Sequence, residues 1–399
     1  MTCGRRIAWL GILLLGLAHG RPGRTEPVPT PAAPPAATPE TTIDRQPAAA
    51  EPTTALPSAR SKPDSAQPPP TRSLDPGFLP TLAALVPGLF YHGVGHRLAG
   101  DRETARDLLI VEGISGGTML LAGGALVANG ASGELSRPLI PVLLAATGVF
   151  LQSWLADIHG SAGGARLRGS PIRAPDRLQA RLAYLHVVDP QFAYRDFVDL
   201  ALDVWHDAWY AGVEGQFATD DDNLRLQLTA GYRLLGGRPG APGRDGSRLQ
   251  LHLALGHHGF GPELFTRRTV EAWVHGRYDL ERISPTLGSS FAEMDVGLIL
   301  EAIAYHQPDA VDLDIDAQLI SRFAFGWYLP WRPGQLRVFY DHRRDRFAGG
   351  LAVSGGGNGF TGSFGIDGRM YLNDRLGVTA LTQAGSAYLF QLGLLVRMP

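Results

Sequence analysis

The sequence predicts a mainly β protein with a small α module: a C-terminal antiparallel transmembrane β-barrel of about 10–12 strands, preceded by a helical hairpin. Three observations carry this. From about Gln179 onward, apolar and polar residues alternate with a period of two. Many of the alternating runs extend over about 9–14 residues, longer than an ordinary strand of about 5–6 and suited to crossing a bilayer at a tilt. Upstream, two segments are apolar over about 20 residues without alternation, which is a helical pattern of near-bilayer length.

In chain order, residues 1–20 ("MTCGRRIAWLGILLLGLAHG") read as a signal peptide: a basic start at Arg5 and Arg6, an apolar run, then small residues where a peptidase would cut. Cys3 is the only cysteine, so the mature chain has no disulfide and no thiolate zinc site. The formal net charge of −2 gives no field that would draw the chain to nucleic acid. Residues 21–76 hold 15 of the 30 prolines, set among Ala, Thr, Ser and Glu. With no periodic apolar face to offset the ordering entropy, this is a disordered, Pro-rich linker, able to reach the envelope or peptidoglycan.

Residues 77–162 form the helical module. "LPTLAALVPGLFYHGVGHRLAG" starts a short helix; Thr104–Gly130 and Arg137–Gly160 are the two long apolar ones. Gly113 with Gly117, and Gly124 with Ala128, are small pairs four apart that let helices approach closely. Glu112 is expensive in lipid unless protected. Three placements are open to the module: inside the barrel, beside it, or in the inner membrane with the linker between.

Residues 178–399 form the barrel. "NLRLQLTAGYRL", "RLQLHLAL" and "AEMDVGLILEA" set Leu, Met and Val on one side against Arg, Gln, His, Asp and Glu on the other. In "VEAWVHGRYDL", Trp273 alone sits on the polar side. "VDLDIDAQLI" places Asp312, Asp314 and Asp316 between Val311, Leu313 and Ile315, although Asp is a poor strand former. A strand with one face to lipid and one to water accounts for this. Asp312, Asp314, Asp316, Glu293 and Asp295 are therefore expected to line a wet lumen, compensated by Arg248, Arg277, Arg322 and Arg337. Trp205, Trp209, Tyr210, Tyr278, Trp327, Tyr328, Trp331 and Tyr340 near the strand ends suggest interfacial girdles.

Signal peptide, long alternating strands, aromatic strand ends and short turns together resemble a bacterial outer-membrane β-barrel. "HGVGHRLAGDRETARDLLIVEG" is also similar to exported proteins of Gram-negative bacteria that join a helical region to a barrel. The resemblance implies an outer-membrane location and contact with membrane lipid; it implies no cofactor. The last strand, "YLFQLGLLVRMP", carries alternating aromatics at Tyr388 and Phe390.

Chemical signals are sparse. His92 and His96, four apart, would share a helical face and are a weak metal pair, with Asp101 and Glu112 as further oxygen ligands. The acidic ladder suits Ca²⁺ or Mg²⁺ but lacks a coordination loop. "GISGG" matches the G-x-S-x-G motif at Ser115 without the strand–turn–helix context the motif needs. His206 beside Asp207, His257-His258, and Ser289, Ser290 or Ser321 are the remaining hydrolase candidates, and no spacing selects among them. No phosphate-binding glycine loop is present. The expected role is structural, envelope-anchoring or that of a small pore. A barrel-embedded lipid hydrolase, or an inner-membrane hairpin carrying a periplasmic β-domain, are the alternatives.

Overall fold

Every strand of the sheet has two neighbours. The computed structural model of the chain describes residues 76–130, 135–172, 177–188, 195–237, 245–260, 265–306, 311–343, 362–385 and 387–398. The expected signal peptide, the linker up to residue 75, and the run "GLAVSG" lie outside these residues. Twelve antiparallel strands follow in order: β1 (Leu178–Val188), β2 (Asp196–His206), β3 (Trp209–Ala218), β4 (Asn223–Gly236), β5 (Arg248–Phe260), β6 (Phe265–Asp279), β7 (Ser290–His306), β8 (Val311–Tyr328), β9 (Gly334–Asp341), β10 (Ser363–Tyr371), β11 (Leu376–Ala384) and β12 (Tyr388–Met398). Each pairs with its sequence neighbours, and β1 also pairs with β12, which closes the barrel.

Because directly paired residues share a face, the register fixes what points where. Leu182 lies opposite Leu200 on one side and Leu394 on the other, and all three are exposed on the outer wall. The same outward belt continues through Leu226, Leu228, Leu251, Leu253, Leu298 and Leu392. The intervening positions point inward and carry Arg, Asp, Glu, His and Gln. Closure pairs the wall's backbone groups strand to strand, which is the condition for a sheet in hydrocarbon.

Before the barrel come four helices: α1 (Phe78–Leu85), α2 (Val94–Leu98), α3 (Arg102–Ala128) and α4 (Ser136–Ser161). Asp101 caps α3, its side chain accepting the Thr104 backbone N–H at 3.1 Å. α3 and α4 run antiparallel, the expected hairpin, and α4 lies along the outer face of β7 and β8. Outward-facing Phe323 and Phe325, at belt positions exposed on other strands, are buried here. Leu108 of α3, Ala156 of α4, and Leu280 and Leu287 of the β6–β7 connection form one cluster with Phe325. Gln152 donates to the carbonyls of Glu293 (2.6 Å) and Ala324 (2.9 Å). Of the three placements, the structure takes the one beside the barrel.

The small-residue pairs do not do what their spacing predicts. Gly113, Gly117 and Gly124 have nothing within 4 Å of where a Cβ would stand. The close approach is made by Gly148, whose absent Cβ would lie 2.8 Å from the Phe323 ring. Gly148→Leu should therefore lift the hairpin off the wall. The expected result is faster protease cleavage within residues 76–172, while the barrel keeps a heat-modifiable gel mobility; unchanged cleavage would disprove the contact.

Candidate functional site

Five of the predicted lumen charges assemble into one network. Arg277 Nε donates to Glu293 Oε1 at 2.6 Å, and Arg337 Nη1 donates to Glu293 Oε2 at 2.6 Å. Arg337 Nε reaches Asp367 at 2.6 Å, and Arg322 stands 3.6 Å from the same carboxylate. Asp295 accepts from His275 Nδ1–H at 2.6 Å. The strands place these groups by register: Arg277 opposite Glu293, His275 opposite Asp295, and Arg337 opposite Asp367. Arg277 also lies 3.9 Å over the Phe291 ring, and Arg322 4.7 Å over Phe339.

A second inward network surrounds Arg181, which donates to Asp199 at 3.0 Å and pairs with Glu214 at 3.0 Å. Gln216 and Gln391 donate to the other oxygen of Asp199 at 3.1 and 2.9 Å. A third joins Arg267 to Glu301 at 2.8 Å. Between Arg225, Gln227, His258, Arg267 and Glu271 remains a cavity of about 20 Å³, room for about one water. At the end where β1 meets β2 and β5 meets β6, inward Leu185, Val187, Phe197, Phe260, Phe265 and Ile303 pack into an apolar layer. Phe260 and Phe265 stack at 4.2 Å. Ion networks and an apolar layer at one end thus project into the lumen.

The aspartate ladder lies elsewhere. Asp316 pairs with Glu301, and Asp314 with buried, inward Ile303, so both share the lumen face. Yet Asp314 and Asp316 are exposed. The described pairing of β8 with β9 begins only at Arg322, so among the described residues the aspartate-bearing half of β8 is paired through β7 alone. Of Asp312 the structure gives only the backbone pairing with Tyr305. Arg277, Arg322 and Arg337, expected to offset this ladder, face Glu293 and Asp367 instead.

The expected girdle is also revised. Tyr210 and Tyr328 point into the lumen, donating to Asp203 (2.8 Å) and Asp279 (2.6 Å). Trp209, Tyr232 and Trp331 are the exposed aromatics near the turn end. Trp273 stacks inside on His252 at 5.0 Å.

His92 and His96 do not share a helical face, because His92 precedes α2 and Gly93 takes φ = 85°. A Cβ at Gly93 would clash with the backbone of Ala105. What "HGVGH" builds is a backbone nest: the N–H groups of Gly93 (2.9 Å), Gly95 (3.2 Å) and His96 (3.1 Å) donate to the fully buried Asp157 carboxylate of α4. His96 Nδ1 lies 2.6 Å from the same carboxylate. His92 Nδ1 lies 2.6 Å from Ser153 Oγ, and its backbone N–H donates to Glu112 at 2.8 Å. Among the described residues, no group of three or more His, Cys, Asp or Glu side chains is arranged to hold a metal ion. A second knot ties α3 to the β6–β7 connection: Thr104 Oγ1 donates to Asp101 (2.6 Å) and lies 2.6 Å from Ser284 Oγ, and Thr286 Oγ1 donates to Asp101 at 2.9 Å.

Several of the hydrolase candidates make local hydrogen bonds. Ser115 lies inside α3 and donates to the Val111 carbonyl at 2.7 Å. Ser289 and Ser290 donate to the Gly169 and Leu287 carbonyls at 3.2 and 2.7 Å. His206 and Asp207 stand 3.7 Å apart at an exposed turn. Ser153 with His92 is a serine–histidine contact, but the neighbouring carboxylate, Asp157, is bonded to His96.

Two outcomes follow. Glu293→Ala leaves Arg277 and Arg337 buried without their shared anion and should destabilise the barrel by about 3–5 kcal/mol in denaturant titrations, whereas Asp314→Asn at an exposed site should stay within about 0.5 kcal/mol. Burial pushes the His92 imidazole down to about 4, partly opposed by Asp157. Burial raises the Asp101 carboxyl, but hydrogen bonds from Thr104 and Thr286 outweigh it and hold it below its ordinary 3.8. An unfolded histidine protonates near 6.5, so the His92 contribution is full above that pH and is lost as pH falls towards about 4; Asp101 adds a loss below 3.8. Hydrogen exchange across residues 88–112 should rise between pH 6.5 and 4 before that of the barrel, and His92→Asn should flatten the response; a flat profile in the unsubstituted chain would refute it.

The sequence matches no protein-family model and no curated protein. Solved barrels that it resembles include the outer membrane protein Omp33 of Acinetobacter baumannii (7% identity, 58% of this chain and 100% of that one, TM-score 0.30). The NanC porin (11%, 55% and 100%, TM-score 0.33) and the β-domain of the Bordetella autotransporter BrkA (14%, 56% and 100%, TM-score 0.32) are two others. By its own geometry, a closed antiparallel barrel with an apolar belt outside and ionised groups inside, the chain has the architecture of an outer-membrane β-barrel.

Proposed function

We propose that this protein is a non-conducting anchor in the outer membrane of a Gram-negative bacterium, holding its N-terminal segment at the periplasmic rim. The single observation that carries this reading is the occupied lumen: three ion networks and an apolar layer project into it among the described residues. A diffusion pore needs the opposite. The β6–β7 and β8–β9 connections, the start of β1 and the end of β12 share one rim, which this reading places on the periplasmic side. The helical module is knotted to that rim through Asp101, Thr104, Ser284 and Thr286. In this reading the Pro-rich segment has peptidoglycan as its envelope partner.

Two measurements test this. Reconstituted into planar bilayers, the protein should give no steady conductance; discrete steps at moderate voltage would overturn the non-conducting reading. The full chain should co-sediment with purified peptidoglycan sacculi, and a variant lacking residues 21–71 should not. Equal sedimentation of both, or of neither, would overturn the anchoring reading.

A further inference from the structure

The hairpin of α3 and α4 leaves a broad apolar surface facing away from the barrel. Leu120, Leu121 and Val127 are exposed by 79, 78 and 82%. Ile114, Leu135 and Ile140 add to it. What covers this surface follows from where α4 sits. Phe323 and Phe325 occupy outward positions of β8 that correspond to the exposed leucines of β2, β5 and β12, so α4 takes the place that lipid holds around the rest of the wall.

The charge pattern of the two helices matches that depth. Arg102, Glu103, Arg106 and Asp107 of α3 stand at the rim end, beside the Asp101 knot. From there residues 113–128 of α3 contain no charged side chain, nor do residues 138–156 of α4. At ~1.5 Å per residue these runs are about 24 and 28 Å long, against an apolar band of about 25 Å on an outer-membrane barrel. The charged groups that resume at the lower end, Asp157 and His159, are both satisfied: Asp157 by the backbone nest, His159 by the Gly288 carbonyl at 3.1 Å. Glu112, the residue that sequence marks as costly in lipid, accepts the His92 N–H at the foot of the hairpin.

We infer that the helical hairpin lies within the same bilayer as the barrel, its outer face in direct contact with lipid acyl chains. The lipid-facing surface of the protein is then a composite: β-strand around most of the circumference, two α-helices over β7 and β8. The polar foot built from Asp101, His92, His96 and Asp157 marks the level of the periplasmic headgroups. This rests on the reading of the barrel as membrane-spanning.

The test keeps the two readings separable. In a Cys3→Ser chain, Leu121→Cys and Val127→Cys carry an environment-sensitive nitrobenzoxadiazole label, and Leu394→Cys on β12 is the barrel control. The labelled full chain is folded into phosphatidylcholine vesicles containing mid-chain doxyl lipid, with iodide as the aqueous quencher. Labels at 121 and 127 should be quenched by doxyl lipid as strongly as the label at 394, and by iodide only weakly. Quenching by iodide at 121 and 127, with the control still lipid-quenched, would place the hairpin outside the bilayer and overturn the inference. Protection from both quenchers would mean that protein, such as a second copy of the chain, covers this face, and would overturn it equally. An iodide-quenched control would instead overturn the membrane-spanning barrel itself.

Discussion

The ladder between β1 and β12 is the constraint on which everything else depends. Without it the sheet would have two edges of unpaired N–H and C=O groups, untenable where no water can satisfy them. With it, the register of every strand is tied to that of its neighbours around the whole circumference. One residue of slip would turn Leu182, Leu200 and Leu394 inward and Arg181, Asp199 and Gln391 into hydrocarbon. Charged and apolar side chains therefore enforce the same register from opposite faces of the wall.

Once the wall is closed, the interior becomes a packing problem. Isolated ionised groups inside the wall would be costly, and the solution is mutual: carboxylates such as Glu293 and Asp199 accept from more than one partner. Glu293 lies between Arg277 and Arg337, and Asp199 among Arg181, Gln216 and Gln391. The apolar layer of Phe197, Phe260 and Phe265 shields these networks from one mouth.

The helical module obeys different rules. Its contacts are few, local in space and distant in sequence. Gly148 admits the Phe323 ring, Gln152 reaches two wall carbonyls, and Asp101 and Asp157 gather hydrogen bonds at the foot. Two buried acids organise the module where an apolar interface alone would allow the hairpin to slide along a uniformly greasy wall. Directional hydrogen bonds at the foot supply the registration that hydrophobic packing lacks.

By itself, the sequence determined the element types and their sidedness. A period of two with ionised residues on one face is legible residue by residue, and it set Arg277, Glu293, Asp295, Arg322 and Arg337 on the polar face of their strands. It also distinguished two continuous apolar helices from the strands. Tertiary structure decided the pairings, since ion partners come from adjacent strands whose register no local pattern records: His275 with Asp295, Arg337 with Asp367, and Arg181 with Asp199. It put Asp314 and Asp316 on a stretch of β8 beyond the described β9 pairing, because strand ends depend on neighbours of unequal length. It turned "HGVGH" from a possible ligand pair into a nest for Asp157, 61 residues from His96 along the chain. And it placed the hairpin outside the barrel, where Gly148 meets the Phe323 ring, Gln152 reaches two wall carbonyls and Asp101 binds the β6–β7 connection.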